Sequence, residues 1–245
     1  MADRAATAAW QAASDPLSLP AGTYYRPTGD EVSGVPGAST TFARGPCPAL
    51  NTLANLGFIN RNGKNVDVTA LRRAVHSVFP LSKAFVWLLT ASKPPQFDLS
   101  ALCQRQLGEH DVSLLREDAA LQHDQSQQHA GLVQQLDALC DGKTELSRTD
   151  LVAFHVRRLR DCKAQNKAFE FTAGQQFAAH GEIALILSIF GNGTTAKTAD
   201  LRTFLVDERL PTAYERPTRS LSTLAVLRRV WRVGRDAKRQ SDSRR

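Results

Sequence analysis

The strongest constraint on the fold is a helical pattern of apolar residues that begins at Pro48 and continues to about residue 207. In residues 48–57 the apolar side chains share one helix face, Pro48 suits the first helical position, and Gly57 suits the stop. No segment alternates clearly between apolar and polar residues as a half-buried strand does, and no internal repeat is visible. The sequence therefore predicts a mostly α fold.

The same periodicity predicts the remaining helices. One covers residues 67–92, with Asp67 or Thr69 as its N-cap and a break near Pro80. The others are expected over residues 113–139, 147–163, 173–190 and 198–207. Residues 1–45 are rich in Pro, Gly, Ser and Thr and are expected to form an N-terminal arm. With 245 residues, 42% of them apolar, and no evident linker, we expect one domain spanning residues 1–245.

The net charge of +7 is concentrated at the C-terminus. From Leu227 to Arg245 there are eight Lys or Arg residues and two Asp residues, so the rest of the chain is nearly neutral. Residues 225–245 are therefore expected to form a basic tail. Such a tail can bind nucleic acid or anionic lipid, but a solvated or frayed end is the favoured interpretation, and no nucleic-acid partner is expected.

No transmembrane segment is expected, because the longest apolar run covers only residues 183–190. Residues 1–16 lack the apolar core of a secretory signal. We therefore expect an intracellular protein, or an extracellular one if a signal has been removed. The sequence leaves open whether the protein is a monomer or a dimer.

Cys47 lies between Pro46 and Pro48 at the predicted start of a helix. Unpaired backbone N–H groups and the helix dipole favour a thiolate at such a position, and the two prolines stiffen the backbone around it. A structural cysteine and a reactive or ligating one both remain open for this tripeptide alone. The other cysteines, Cys103, Cys140 and Cys162, form no CxxC pair and are interpreted as core thiols, with a disulfide as the alternative.

Two other segments carry candidate chemistry. In the stretch "GEHDVS", the oxygens of Glu109, Asp111 and Ser113 can converge on a hard cation such as magnesium, with His110 pointing the other way; a solvated acidic turn is the alternative. Glu182 is a carboxylate within an otherwise apolar predicted helix. Desolvation there would raise its pKa and suit it to proton transfer, whereas a side chain facing water would not be perturbed.

Taken in order, a proline-flanked cysteine at a helix start, a Glu-His-Asp-x-Ser motif and a glutamate in an apolar helix resemble the fungal haem-thiolate peroxidases. This is the family of chloroperoxidase and the unspecific peroxygenases. The resemblance runs from about Pro16 to Asp207 and is densest in "PCPALNTLANLGFINRNGK", residues 46–64. It implies a single helical haem-binding domain of the chloroperoxidase type.

The resemblance also implies roles for individual residues. Cys47, held by Pro46 and Pro48, would be the thiolate ligand of the iron of haem b. A magnesium ion near a haem propionate would be held by Glu109, Asp111 and Ser113. Glu182 would be the acid–base group for hydrogen peroxide, assisted by His110, and a Cys-ligated oxoferryl intermediate would then oxidise small organic substrates.

Departures from the family pattern indicate the short, histidine-assisted type. Long members carry an arginine where this chain has Gln175, and they read Glu-Gly-Asp where it reads Glu-His-Asp. Leu185 and Gly108 stand where bulky aromatics often line the substrate channel, which implies a wider and more aliphatic pocket. Ala178 and Ala179 are assigned to the same channel. Most members are secreted, so the lack of a visible signal is a further departure.

The leading hypothesis is a peroxygenase that inserts oxygen into C–H or C=C bonds. Halogenation and one-electron peroxidation at the same site are the alternative activities. A haem-free helical binding protein with a basic tail is the alternative from another class.

Overall fold

Eight α-helices form the framework of the computed structural model, which describes residues 15–105 and 107–243. Within these ranges the helices are Pro48–Asn55 (α1), Val68–Val78 (α2), Lys83–Thr90 (α3), Ala130–Cys140 (α4), Arg148–Gln165 (α5), Ala173–Ile189 (α6), Thr198–Leu205 (α7) and Thr223–Asp242 (α8). The predicted mostly α fold is confirmed. Of the predicted N-terminal arm, residues 1–14 lie outside the described residues.

Side-chain caps set several helix starts. Asp67 caps α2 by accepting a hydrogen bond from the backbone N–H of Ala70 at 2.6 Å. Ser147 and Thr172 begin capping boxes at the starts of α5 and α6. These side chains satisfy backbone donors that a helix leaves unpaired at its N-terminus. The predicted break near Pro80 is confirmed, because it separates α2 from α3.

The predicted helix over residues 113–139 is wrong in its first half, because only α4 forms there. The segment before α4 is held by hydrogen bonds between its side chains and backbone N–H groups, some of them distant in sequence. Asp118 accepts from the N–H of Val112 at 3.0 Å, and Asp124 accepts from the N–H of Gly34 at 3.0 Å. Such bonds compete with a helical ladder, and periodicity along one segment does not register them.

Six short strands, which the sequence did not predict, form three two-stranded sheets in the described part of the chain. Each is two or three residues long, too short to show alternation. The pairs are Val32–Ser33 (β1) with Phe42–Ala43 (β2), Val66–Asp67 (β3) with Gln96–Phe97 (β4), and Glu145–Ser147 (β5) with Thr195–Lys197 (β6). The first pair is parallel and the other two are antiparallel. Because β5 leads into α5, β6 leads into α7 and the two strands pair antiparallel, these helices begin at opposite ends of the same short ladder.

The C-terminal segment is a packed helix, so the expectation of a frayed end is wrong for residues 223–242. Helix α8 packs against α5 and α6 through four buried side chains: Val226, Val230, Val233 and Ala237. Their spacing of three and four residues places them on one helix face. Among the described residues, no helix is both long enough and apolar enough to cross a bilayer.

This packing predicts unequal effects of two substitutions in α8. Val230→Ala removes methyl groups from a side chain that is 3% exposed, and we expect it to lower the free energy of unfolding by about 1–3 kcal/mol. Leu224→Ala, at a side chain that is 56% exposed, should change it by less than about 0.5 kcal/mol. Denaturant unfolding of the full chain measures both, and equally small effects would contradict the packing of α8.

Candidate active site

The cysteine and the glutamate singled out in the sequence line one cavity. Cys47 at the start of α1 and Glu182 on α6 both contribute to its wall, and its volume is about 310 Å³. Most of the remaining wall is aliphatic or aromatic, including Leu50, Val75, Phe79, Ile186, Ile189 and Phe204. A mostly apolar cavity with a few convergent polar groups is the usual form of a small-molecule site.

Cys47 is the N-cap residue of α1, and Pro48 is its first helical residue. The side chain is partly accessible, and both neighbouring prolines also line the cavity. Burial raises the pKa of the Cys47 thiol, while the N–H groups of Ala49 and Leu50 favour the thiolate without closing a regular cap hydrogen bond to sulfur. The effect of burial on the pKa of Cys47 is larger than the opposite effect of the backbone N–H groups at the helix start. A positive charge beside the sulfur would therefore be needed to favour the thiolate form.

A buried polar network that the sequence analysis missed fixes the backbone ahead of Cys47. The Asn51 side chain accepts from the N–H of Gly45 at 3.1 Å and donates to its carbonyl at 2.9 Å. Asn51 also donates to Glu208 Oε1 at 2.8 Å, and the same oxygen accepts from Arg116 at 2.8 Å. Since all three side chains are less than 5% exposed, the network is shielded from water.

The sequence contains one signal for this network. Asn51 and Asn55 are spaced by four residues on a helix whose other buried residues are Thr52, Leu53 and Ala54. Asn55 Oδ1 accepts from Arg44, whose nitrogens lie 2.9 and 3.1 Å away. A pair of amides on one helix face indicates polar partners in the interior, although it does not say which residues supply them.

His110 joins the cavity carboxylate to a buried loop. Its Nδ1 lies 2.8 Å from the carbonyl oxygen of Asp111 and must donate to it, since a carbonyl only accepts. Its Nε2 lies 3.3 Å from Glu182 Oε1. Burial alone would lower the pKa of His110, but the Glu182 carboxylate and the hydrogen bonds outweigh this effect and raise the pKa to about 9. At neutral pH His110 is therefore an imidazolium that faces Glu182.

Glu182 itself is not deeply buried, which decides between the two interpretations of this residue. Its side chain is 52% exposed and faces the cavity, while that of His110 is 5% exposed. Of the two interpretations that the sequence left open, the structure shows a Glu182 side chain that faces open space, not a desolvated carboxyl group. The carboxylate is open to a molecule in the cavity and is oriented from behind by a buried histidine.

The predicted magnesium ligands have unequal surroundings. Both carboxylate oxygens of Glu109 are buried without a hydrogen-bond partner, and the nearest cation, Arg105, is 3.8 Å from Oε2. Ser113 Oγ lies 3.5 Å from the carbonyl oxygen of His110. Glu109 and Ser113 are thus free to take an additional partner.

Asp111 differs from these two residues, because both of its oxygens already have hydrogen-bond partners. Its oxygens accept from Arg105 at 2.8 Å, from the Asn166 amide at 3.2 Å and from the N–H of Glu170 at 2.9 Å. These three bonds occupy most of the acceptor positions of the carboxylate, so its contacts are those of a group that fixes the loop. The loop also carries Val112 with φ of 70°, a left-handed conformation that is costly for a β-branched residue.

A second group of potential ligands lies deeper in the protein, where Glu117, Asp118 and Cys162 approach one another. Arg158 donates to Glu117 at 3.0 Å and lies 3.7 Å from Asp118. Cys162 Sγ lies 3.1 Å from Asp118. Because the Arg158 guanidinium lies beside both carboxylates, we interpret the group as an internal ion-pair network.

One of the four predicted channel residues lines the cavity, and the other three do not. Leu185 lines the cavity, whereas Gly108, Ala178 and Ala179 are not part of its wall. Ala178 is exposed and Ala179 is buried, both on the turn of α6 that precedes Glu182. A side chain added at Gly108 would meet Leu102, with its Cβ 3.0 Å from the Leu102 carbonyl oxygen. Of the residues one turn from Glu182, Leu185 lines the cavity, and Ala178 and Ala179 do not. A position one turn from Glu182 therefore does not by itself predict a channel residue.

Two further findings concern residues singled out in the sequence. Gln175, which replaces the arginine of long family members, accepts from the N–H of Thr172 at 2.7 Å and closes the capping box of α6. All four cysteines lie within the described residues, and all are free thiols. The alternative of a disulfide within the chain therefore does not apply to this structure.

Comparison with known proteins agrees with the cavity chemistry. A family model described as "Peroxidase, family 2" matches residues 24–219, most of the chain. The chain is 44% identical over 63 residues to "Dothistromin biosynthesis peroxidase dotB" of Dothistroma septosporum, which covers 26% of the chain and 14% of that protein. It is 27% identical over 177 residues to "Aromatic peroxygenase" of Cyclocybe aegerita, which covers 61% of the chain and 47% of that protein.

The chain thus spans less than half the length of each of these curated relatives. The family match does not depend on that coverage, because it includes the Cys47 segment, the Glu109–Ser113 motif and Glu182 together. The chain belongs to the family "Peroxidase, family 2", the fungal haem-thiolate peroxidases.

Proposed function

We propose that this protein is a peroxygenase that uses hydrogen peroxide to insert oxygen into C–H or C=C bonds of small organic substrates. Family membership makes it a peroxidase, an oxidoreductase acting on peroxide. The observation that carries the finer assignment is the apolar cavity that Cys47 and Glu182 line together. It provides a place for an iron ligand, an acid–base group and an apolar substrate within one space.

The residues of the cavity fit a haem b held through Cys47. The thiol faces the cavity, its backbone is fixed by Pro48 and by the Asn51 clamp on Gly45, and the apolar wall suits a porphyrin. Coordination to iron would keep Cys47 as a thiolate, which its burial alone disfavours. When bound, a haem with a thiolate ligand supplies the redox-active iron that promotes cleavage of the O–O bond of peroxide.

Glu182 is assigned the proton transfers. Its Oε1 faces the His110 imidazolium, so Oε2 is the oxygen that takes a proton from hydrogen peroxide and returns it to the oxygen that leaves as water. His110 orients the carboxylate and, by its positive charge, stabilises the ionised form that accepts the proton. The Asp111 carbonyl fixes the imidazole ring for this role.

A magnesium site is proposed at Glu109 and Ser113. The support is the pair of Glu109 carboxylate oxygens that are buried without a partner, because an ionised carboxylate in that state is costly unless a cation compensates it. In this assignment Asp111 holds the loop through Arg105 and Asn166 and is not a ligand. Magnesium would also offer a positive charge to a carboxylate of the bound cofactor.

The substrate class follows from the cavity wall. Leu185 and Ile189 stand one and two turns after Glu182 on α6 and line the cavity, so bulky aliphatic substrates are proposed for the side that carries Glu182. Chlorination and one-electron oxidation use the same residues and are distinguished by the products formed. Aliphatic alcohols or epoxides as main products would support the proposal, and chlorinated products alone would contradict it.

If Cys47 binds the haem iron, replacing Cys47 should remove the spectral signature of thiolate ligation. Cys47→Ala should bind haem weakly and lose the red-shifted Soret band that the reduced carbon monoxide complex of a thiolate-ligated haem shows. The matched control is Cys103→Ala, a thiol outside the cavity wall, which should keep that band. An unchanged spectrum in Cys47→Ala would place the iron ligand elsewhere.

The acid–base assignment predicts that Glu182→Gln keeps haem but reacts slowly with peroxide. Loss of the proton acceptor should slow the reaction by about a hundredfold to ten-thousandfold. Stopped-flow mixing with peroxide measures this rate, and product analysis with an alkane, an aromatic, a fatty acid and a chlorination probe measures turnover.

Two further variants test the same assignment. His110→Ala should be intermediate, because it removes the group that orients Glu182 and leaves the carboxylate in place. Gln175→Ala, on the same helix but engaged in the capping box, should retain the wild-type rate per bound haem. A Glu182→Gln variant as fast as wild type would mean that another group moves the proton.

The magnesium assignment predicts a change in bound metal. The holoprotein, dialysed against magnesium and then against metal-free buffer, should retain magnesium by elemental analysis, and Glu109→Gln should lose it. Glu170→Gln is the matched control, because Glu170 is 57% exposed and also contacts Arg105. Wild-type protein without magnesium, or equal retention by Glu109→Gln, would contradict the site.

A further inference from the structure

The outward side of α8 is an unusual surface for a helix at the edge of a protein. Its residues are exposed along the whole helix, opposite the four side chains that pack on α5 and α6. We call this surface the α8 outer face and define it by Leu224, Leu227, Arg228, Trp231, Arg232, Arg235, Lys238 and Arg239. Large apolar side chains and positive charges thus share one face.

Three large apolar side chains of the face lie in the N-terminal half of α8. Leu224, Leu227 and Trp231 are 56%, 39% and 65% exposed, and their spacing of three and four residues puts them on one stripe. Single exposed apolar residues are ordinary, but a contiguous stripe of three marks a surface that meets a partner.

The rest of the face is cationic. Arg235 lies over the Trp231 ring, 5.2 Å from its centroid, so charge and aromatic surface are adjacent. The carboxylate of Asp236 is bound by Arg148 at 2.8 Å and also lies 3.3 Å from Arg235. The other four cations of the face, Arg228, Arg232, Lys238 and Arg239, have no carboxylate partner among residues 15–105 and 107–243.

We propose that the α8 outer face docks the protein on an anionic lipid surface. Leu224, Leu227 and Trp231 would enter the boundary between head groups and acyl chains, and the arginines would bind lipid phosphates and carboxylates. This combination of Trp and Leu with flanking Arg and Lys is the chemistry of interfacial helices, and attraction to anionic lipid adds to the apolar contribution.

Charge argues against two other occupants. A second copy of this chain would bring five like charges onto five like charges, which opposes association through this face. A nucleic acid would satisfy the cations, but it would leave Leu224 and Leu227 in water, because aliphatic side chains bind neither phosphate nor base edges well. Of these three occupants, a lipid surface is the one that binds both the apolar and the cationic side chains of the face.

A second exposed apolar segment begins beside this face. Helix α3 starts next to α8, because the Ser82 N–H donates to the carbonyl of Leu221 at 3.0 Å. It carries Trp87, Leu88 and Leu89, which are 58%, 54% and 48% exposed, and Leu89 also lines the cavity. If the proposed function holds, a lipid-bound enzyme would thus have a wall of its cavity close to lipid-dissolved substrates; the docking proposal itself does not depend on that activity.

The test is flotation of the full-length holoprotein with vesicles of phosphatidylcholine, with and without about 30% phosphatidylserine. We expect wild type to float with the anionic vesicles only, with less binding as salt increases. Arg228→Gln/Arg232→Gln should bind about 30-fold more weakly, from the contribution of two basic residues near an anionic surface. Leu227→Ser/Trp231→Ser should also lose binding.

The matched control is Arg160→Gln/Lys167→Gln, which removes two exposed charges outside the α8 outer face. It should bind as wild type does, and circular dichroism with thermal unfolding checks that every variant is folded. Three results would each overturn the proposal: no flotation of wild type at low salt, equal weakening in the control, or binding to a single-stranded oligonucleotide without binding to vesicles.

Discussion

The position of Cys47 depends on a few hydrogen bonds made in the interior by Asn51. The Asn51 side chain forms hydrogen bonds with both the N–H and the carbonyl of Gly45, which fixes the backbone just before the cysteine. Helix α1 fixes the backbone just after it. Asn51 is itself held by Glu208, which is paired with Arg116. Removing one member of a buried pair leaves an uncompensated charge, so such a network is stable only when complete. The thiol therefore depends on three distant parts of the chain.

The loop that lies behind Glu182 is held in a different way. The loop that carries Glu109 and His110 has no regular secondary structure, yet both side chains are buried. Asp111 and Asp118 hold it through backbone and side-chain donors, and these bonds keep Val112 in its left-handed conformation. A rigid helical core thus positions Cys47 and Glu182, and a loop fixed by side chains supplies the residues that adjust the charge around them.

This contrast explains which parts of the structure could be read from the sequence. Helices α1, α2, α5, α6 and α7 were predicted because their caps and apolar periodicity are local. The segment before α4 was assigned wrongly, because partners as distant as Gly34 decide its conformation. The roles of Glu208 and Arg116 could not be found either, since nothing near them in sequence indicates that they meet. Cys47, His110 and Glu182 were singled out because the order of three motifs indicates the family, and the structure brings His110 and Glu182 within 3.3 Å of each other.

Helix α8 also determines which way Glu182 points. A side chain added at Gly181 would lie 3.9 Å from Val230 of α8, and one added at Gly234 would lie 3.0 Å from the His180 ring. The two helices therefore approach closely along the His180–Gly181 face of α6, where the lack of a side chain on Gly234 leaves room for the His180 ring. Successive helical residues differ in direction by about 100°, so Glu182 turns away from this contact and towards the cavity. The half-exposed carboxylate in an otherwise apolar helix is thus a consequence of packing on the opposite side.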